Sequence, residues 1–336
     1  MSVLITGGAG YIGSHTVLYF LDKGEDVVVL DSLEKGHKQA LLDGVTFYQG
    51  SIHDEALLSD IFQKHTIEAV VHFAASSLVG ESVEKPLDYY ENNVIGSHTL
   101  VKQMVKHEVK HIVFSSTAAT YGEPKNIPIK ETDPTIPTNP YGETKLAMEK
   151  MFRWCDAAYG LKSVCLRYFN AAGADPDGRI GEDHTPESHL IPIVLQVALG
   201  QREQVQIFGE DYDTKDGSCI RDYIHVMDLA EAHYLALEKL RRDNTTSIYN
   251  LGNGKGFTVK EVIETCREVT GHEIPAVVSE RRAGDPATLI ASAEQANQEL
   301  GWQPRYPELK TIVEHAWKWH VANPTGYDKE IAVNKR

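Results

Sequence analysis

The chain has 336 residues, 42% of them hydrophobic and 24% charged, with a formal net charge of −15, a composition that fits a soluble enzyme of two domains or of one large α/β unit with an appended lobe. The acidic balance argues against non-specific binding to nucleic acid or acidic lipid, so an anionic ligand has to be held by local basic groups and backbone amides. The four cysteines, Cys155, Cys165, Cys219 and Cys266, have no CxxC spacing, which argues against a disulfide framework or zinc ribbon and for a reducing compartment.

A strand-like run at 3–6 begins almost at Met1, leaving no room for a signal peptide. No apolar run approaches the roughly 18 residues of a membrane helix, and a cytoplasmic protein with no membrane partner is expected. Short β-branched runs at 3–6, 26–30, 45–48, 69–73, 111–115 and 163–167 alternate with amphipathic stretches at 12–23, 55–64, 89–107 and 141–159. Such alternation predicts a doubly wound parallel sheet of the Rossmann type in an α/β protein, with ligands at the carboxyl ends of the strands. After Phe169 the pattern loosens, and 170–187 is rich in Gly, Asp and Pro, as a functional loop or a boundary would be. Strand-like 205–208 and 274–278 and helix-like 190–199, 259–270 and 293–300 predict a smaller, mixed α/β C-terminal substrate lobe. Segments 225–239 and 248–251 are expected to return to the first unit. The expected division is 1–169 plus about 225–252 for the cofactor, and 170–224 plus about 253–336 for the substrate. The polar stretch 327–336 is expected to fray.

The first strand runs directly into Gly7-Gly8-Ala9-Gly10-Tyr11-Ile12-Gly13, and a helix follows. Gly7, Gly10 and Gly13 allow a tight turn, close approach of a pyrophosphate and close helix–strand packing, while the amides of Tyr11 and Ile12 open the helix toward the phosphates. Asp31, with Ser32 beside it, ends the second strand. A carboxylate there binds a ribose diol and repels a 2′-phosphate, so NAD is expected rather than NADP. Further cofactor contacts are expected from Ser51 and Ile52 after the third strand and from Phe73, Ala74 and Ala75 at the end of the fourth. Asn92 fits either a cofactor contact or a helix-terminal hydrogen bond.

Tyr141 and Lys145 lie one helical turn apart. An ammonium beside a phenol favours the phenolate, which makes a proton carrier for a hydroxyl. The fifth strand ends in Ser115-Ser116-Thr117, which puts a hydroxyl beside the nicotinamide and near Tyr141.

Glycine turn, Ser/Thr strand end and Tyr-x-x-x-Lys in this order resemble the extended short-chain dehydrogenase/reductases. Phe73-Ala74-Ala75, Val79-Gly80-Glu81-Ser82, Arg167-Tyr168-Phe169-Asn170, Arg221-Asp222-Tyr223-Ile224-His225-Val226, Tyr249-Asn250-Leu251-Gly252 and Arg281-Arg282-Ala283-Gly284-Asp285 are similar to the UDP-glucose 4-epimerase family within that group. The resemblance spans almost the whole chain. It implies a homodimer with tightly bound NAD that oxidises a UDP-sugar at C4, lets the 4-keto sugar rotate, and reduces it on the other face. It places the reacting oxygen on Thr117, proton exchange on Tyr141 and the nicotinamide ribose on Lys145, and adds Phe169 to the cofactor site. It implies UDP-sugar contacts from Asn170, His189, Leu190, Gln206, Phe208, Arg221, Arg282 and Asp285. Arg221 fits a diphosphate fork or an internal ion pair with Asp222 or Asp228, and Phe208 fits the uracil or core packing. Ser51, Ser77 and His189 differ from residues common in the family, and Leu289, intermediate in bulk, stands at the position that in the family borders the sugar pocket and gates N-acetylated substrates.

Dehydratases and decarboxylases of the same group need an acid beside the threonine, whereas here Ala118 and Ala119 follow Thr117. Alanine transfers no proton, so that chemistry fails. A non-catalytic NAD-binding scaffold would not need both Tyr141 and Lys145. No metal is expected, because the HxxxxH pair His184 and His189 shows no accompanying set of ligands in metal-site order.

Overall fold

The computed structural model describes residues 1–282 and 286–328. Strands β1 (Ser2–Thr6), β2 (Asp26–Asp31), β3 (Thr46–Gln49), β4 (Ile67–His72), β5 (His111–Ser115) and β6 (Lys162–Arg167) lie in one parallel sheet. Four short strands follow, β7 (Asn170–Ala172), β8 (Val205–Phe208), β9 (Ile220–Arg221) and β10 (Tyr223–His225), and then β11 (Ser247–Asn250) rejoins the large sheet beside β6. Among the described residues the sheet order is β11-β6-β5-β4-β1-β2-β3. The order reverses between β1 and β4, where a crevice opens at the carboxyl ends. The register puts Thr6 beside Leu30 and His72, His72 beside Phe114, and Ser115 beside Leu166. Gly7, Phe73, Thr117 and Phe169 therefore follow strand ends, and Asp31 ends β2, along one edge.

Side-chain alternation along the strands divides the core. Val3, Ile5, Val27 and Val29 face α1 (Tyr11–Asp22) and a later helix, Val226–Asp243, through Val17, Phe20, Leu229 and Leu237. Leu4, Val28 and Leu30 face the other side, where α2 (Glu55–Lys64) brings Leu58 and Ile61. Each such fully buried aliphatic side chain contributes about 1.5–3 kcal/mol relative to exposure.

The helix expected at 89–107 begins earlier and is not uniform. It runs as α3 (Val79–Glu84), α4 (Pro86–Tyr89), a π-helical segment Tyr90–Ile95, and α5 (Gly96–Lys106). Asn92 thus lies within a π-turn rather than at a helix start. Such turns recur at functional sites because the extra residue re-aims side chains. Helix α6 (Pro140–Tyr159) is set by local chemistry: Asn139 caps it by accepting from the Gly142 amide at 2.9 Å, Pro140 opens it, and Gly160 closes it at φ 67°.

The C-terminal part packs α7 (Leu190–Ala198), α8 (Val226–Asp243, already placed against the sheet), α9 (Val259–Thr270), α10 (Glu294–Leu300) and α11 (Leu309–Ala322). Helices α7, α9 and α11 build a third core around Val194, Ile263 and Ile312. Helix α11 was not anticipated, although its Leu309, Ile312, Val313, Ala316 and Trp319 form a buried stripe. Strands β12 (Phe257–Thr258), β13 (Ala276–Ser279) and β14 (Thr288–Leu289) complete small sheets, with β13 beside β8 and β14 beside β9. Tyr327, expected to fray, instead packs on His37 and Trp319, and its backbone amide donates to Asp183 at 2.8 Å.

Asp222, fully buried between β9 and β10, accepts backbone amides from Asn253 (2.7 Å), Ala291 (3.2 Å) and Gly254 (3.5 Å). Burial nevertheless dominates and lifts its pKa from 3.8 to about 6. A folded-state pKa above the unfolded value means that its contribution is complete below the unfolded pKa and is lost as pH rises through about 6. Comparing Asp222→Asn with the parent by thermal unfolding, the difference should move in favour of the variant by about 1–3 kcal/mol between roughly pH 4.5 and 7.5. A pH-independent difference would show that Asp222 does not titrate in this range.

Candidate active site

The glycine turn is built for close contact. Gly7 has φ 73°, and a Cβ there would stand 2.6 Å from the Ala74 amide nitrogen. A Cβ on Gly13 would stand 2.1 Å from the Gly7 carbonyl oxygen. The turn therefore leaves its backbone bare beside the end of β4. Helix α1 starts at Gly10 with no side-chain cap and no acid in its first turn, so its amides and partial positive charge remain available to an anion. The Tyr11 hydroxyl donates to the Gly173 carbonyl at 2.7 Å, which fastens the turn to the loop after β7.

Asp31 is buried and accepts from the amides of Ala9 (2.9 Å) and Leu33 (2.8 Å). Burial still raises its pKa above the ordinary value. Ser32 accepts from the Glu34 amide at 3.4 Å, and Ser51 from the His53 amide at 3.2 Å. The Ile52 side chain belongs to the core and packs at Gly96, so its backbone is what it can offer a ligand. The amides of Phe73 and Ala74 both donate to the Thr6 carbonyl, and Ala75 is half-buried beside them. Asn92 donates to the Ser76 hydroxyl at 2.9 Å. Bare backbone at the turn, a helix N-terminus for a pyrophosphate and a carboxylate at the end of β2 for a ribose fit a dinucleotide at the carboxyl ends of the strands.

Thr117 caps a 3₁₀ turn, Ala118–Tyr121, with its hydroxyl accepting from the Ala119 amide at 3.1 Å. It also stands near enough to the Tyr141 hydroxyl to oppose the rise in that phenol's pKa. The pair can meet because Gly142 has no side chain: a Cβ there would lie 2.6 Å from the Ala119 carbonyl oxygen. Lys145 is buried and donates to the Ser115 carbonyl at 2.9 Å, with its nitrogen 4.8 Å from the centre of the Phe114 ring and 5.9 Å from that of Tyr141.

The electrostatics differ from the sequence expectation. Burial raises the Tyr141 pKa to about 12, against the opposing hydrogen bond from Thr117. Burial lowers that of Lys145 to about 7, against the opposing charge of Glu149. The lysine is thus directed at Ser115, and desolvation outweighs the benefit expected for a phenolate. Further positive charge has to enter the site before Tyr141 can ionise readily.

Behind the trio lies a network that sequence reasoning missed. Glu149, one turn beyond Lys145 on α6, accepts from Arg167 through both oxygens (2.9 and 2.5 Å) and from the Ser116 hydroxyl (2.5 Å). Arg167 also donates to the Tyr121 hydroxyl at 2.8 Å. Asn93 is a second omission: fully buried, it binds the Ser76 backbone through both side-chain ends and donates to Thr144 at 3.0 Å. A charged residue one turn from Lys145 and a buried-helix asparagine beside Asn92 were the available signals.

Phe169 packs with Leu289 against Ala118 and Tyr121. In β14 Leu289 pairs with Arg221 of β9, whose guanidinium donates to the Ile220 carbonyl at 2.7 Å. Asp222 and Asp228 both accept backbone amides, Asp228 from Arg305 and Tyr306. Asn170 begins β7 and is half-buried. Phe208 is half-buried on β8 with the Arg282 guanidinium 4.0 Å from its ring centre, and Gln206 is exposed on the same strand. His189 caps α7 and Leu190 opens it. Asp285 lies outside the described residues. The histidine pair is not isolated, since Glu182 and Glu187 lie against both rings.

Residues 3–252 match the model of the NAD dependent epimerase/dehydratase family. The UDP-glucose 4-epimerase of Halalkalibacterium halodurans is 72% identical over 330 residues, covering 98% of each chain. A crystal structure described as a UDP-glucose 4-epimerase superposes with a TM-score of 0.96 at 58% identity, over 98% of this chain and 100% of the other. The UDP-glucose 4-epimerase of Bifidobacterium longum, solved with NAD⁺ and UDP, superposes with a TM-score of 0.92 at 41% identity, over 97% and 100%.

Proposed function

From the chain's membership of the NAD dependent epimerase/dehydratase family, we infer that it is an NAD-dependent isomerase interconverting UDP-glucose and UDP-galactose by inversion at C4. The observation that carries this reading is Thr117 beside Tyr141, with the Lys145 nitrogen 5.9 Å from the centre of the Tyr141 ring and only alanines at 118 and 119. Glu149, the carboxylate behind them, is held by Arg167 and Ser116 and is unavailable as a second acid.

We assign the cofactor to Gly7, Gly10, Tyr11, Ile12 and Gly13, Asp31 and Ser32, Ser51 and Ile52, Phe73–Ala75, Asn92 and Phe169, with Lys145 at the ribose. Bound there, oxidised NAD supplies a hydride acceptor and a positive charge. Tyr141 takes the proton of the sugar 4-hydroxyl and Thr117 holds the same oxygen, so that a 4-keto sugar forms. After the sugar rotates about its diphosphate, the hydride taken from C4 would be returned to its other face while Tyr141 returns the proton to the oxygen, so that the configuration at C4 is inverted. Rotation requires a firm grip on the nucleotide and a loose one on the sugar. We assign the grip to Asn170, His189, Leu190, Gln206, Phe208, Arg221, Arg282 and Asp285, with the arginines suited to diphosphate oxygens. In this division the nucleotide sugar belongs to 170–224 and 253–336, and NAD to 1–169 and 225–252.

The working form is a homodimer in the cytoplasm. Supporting the dimer, Val79, Val83, Leu87, Tyr90 and Ile95 form an exposed apolar row along one helical stretch, and Trp154 is exposed on the adjoining α6. Supporting the compartment, no helix among the described residues is long and apolar enough to cross a membrane, and the four cysteines are free.

Purified enzyme given UDP-galactose without added NAD should yield UDP-glucose, read as NADH formed by UDP-glucose dehydrogenase in a coupled step supplied with its own NAD. No signal above an enzyme-free control would overturn the assignment. Supplying UDP-GlcNAc instead and separating any UDP-GalNAc by anion-exchange chromatography measures whether Leu289, beside Phe169 and Ala118, admits the N-acetyl group.

A further inference from the structure

The loop before α7 carries Glu182, His184, Glu187 and His189, and the ligand-type atoms of all four lie within 4.8 Å of one another. Nδ1 of His184 is 3.2 Å from Oε1 of Glu182 and 3.8 Å from Oε2 of Glu187. Nδ1 of His189 is 3.8 Å from Oε1 of Glu187 and touches Oε1 of Glu182. With metal–ligand bonds of about 2.0–2.1 Å, neighbouring ligands of a tetrahedral zinc ion lie about 3.3 Å apart. Three of the four distances fall close to that edge, and the fourth pair needs only to part. A second observation is independent of these spacings: Nδ1 of His184 is sealed from solvent and has no hydrogen-bond partner, although a carboxylate oxygen lies beside it.

Both carboxylate side chains are almost wholly buried. Among the described residues, their ion-pair partners are these two histidines, with no lysine or arginine. Two carboxylates and two neutral imidazoles balance a doubly charged ion, and a nitrogen–oxygen set of four suits zinc in a closed, structural site. We propose that Glu182, His184, Glu187 and His189 bind a divalent transition-metal ion, zinc by ligand set, which clamps this loop between the cofactor turn and the start of α7. The surroundings suit a clamp. The His184 ring stands edge-on to Tyr11 at 6.1 Å, and the His37 ring approaches Asp183, the residue between two of the ligands, at 3.5 Å. His189 is the residue that caps α7.

The test uses the untagged full chain as purified with its cofactor. After loading with Zn²⁺ or Co²⁺ and desalting, elemental analysis should find about one ion per chain, and the cobalt form should show the intense visible absorption of a tetrahedral centre. His184→Ala and the near-isosteric Glu187→Gln should each lose most of the ion and that absorption; circular dichroism and retained NAD identify folded variants. Less than about a tenth of an ion per chain after loading would overturn the site, as would an unchanged cobalt spectrum in folded Glu187→Gln, which would mark an adventitious ion elsewhere.

Discussion

Tyr141→Phe should leave NAD bound and lower epimerase turnover by about 10²–10⁴-fold, the usual worth of a positioned proton carrier. The change removes one oxygen, the atom nearest Thr117 that would carry the proton. Helix α6 keeps its Asn139 cap and its Gly142 contact, and the glycine turn is untouched, so cofactor retention should survive. Turnover by the coupled assay and NAD content after gel filtration separate the two effects. Turnover within a few-fold of the parent would move proton exchange to another group. Because burial holds the Tyr141 pKa near 12, the parent's rate should also depend on positive charge around the ring. Neutral Lys145→Met should therefore slow turnover and displace its pH profile toward alkali.

Glu149→Ala should be the most damaging single change to stability, at about 3–5 kcal/mol, because it strands a buried charge. Arg167 is 4% exposed, and three of its hydrogen bonds are to Glu149 and Tyr121. Removing the carboxylate leaves the guanidinium desolvated and poorly paired, and frees the Ser116 hydroxyl. It also removes the charge that opposes the fall in the Lys145 pKa, so residual activity should decline beyond the loss of folded protein. Urea unfolding measures the first effect. The double variant Glu149→Leu with Arg167→Met, which removes both charges, should recover much of the loss. A single-variant cost below about 1 kcal/mol would show that water reaches Arg167.

The cofactor half of the fold was legible in the sequence because its signals are local. A β-branched run, a glycine turn and an amphipathic helix each declare themselves within a dozen residues, and Asp31 marks the end of β2 without knowledge of the sheet. Other features depend on what lies opposite. The π-turn that carries Asn92 has the composition of an ordinary helix, and the extra residue shows only when Asn93 reaches Ser76 and Thr144. Helix α11 has its apolar stripe among histidines, lysines and a glutamate, which blurred its period. The pairing of Glu149 with Arg167 joins α6 to β6. Spacing alone placed Lys145 near Tyr141, but only the fold reveals the Ser115 carbonyl to which the lysine turns, and burial then reverses the expected pKa shift. The carboxylates around His184 are out of reach of the sequence for a similar reason: an irregular loop gives no period from which to infer that Glu182, His184, Glu187 and His189 converge.

In this mechanism hydrogen leaves C4 and returns to C4 within one closed site, while Tyr141 handles only the hydroxyl proton. UDP-galactose deuterated at C4, converted in ordinary water and analysed by mass spectrometry and proton NMR, tests it most directly. The UDP-glucose formed should keep its deuterium at C4 at full turnover, with no solvent hydrogen entering there. Loss of the label to solvent in step with conversion would contradict it.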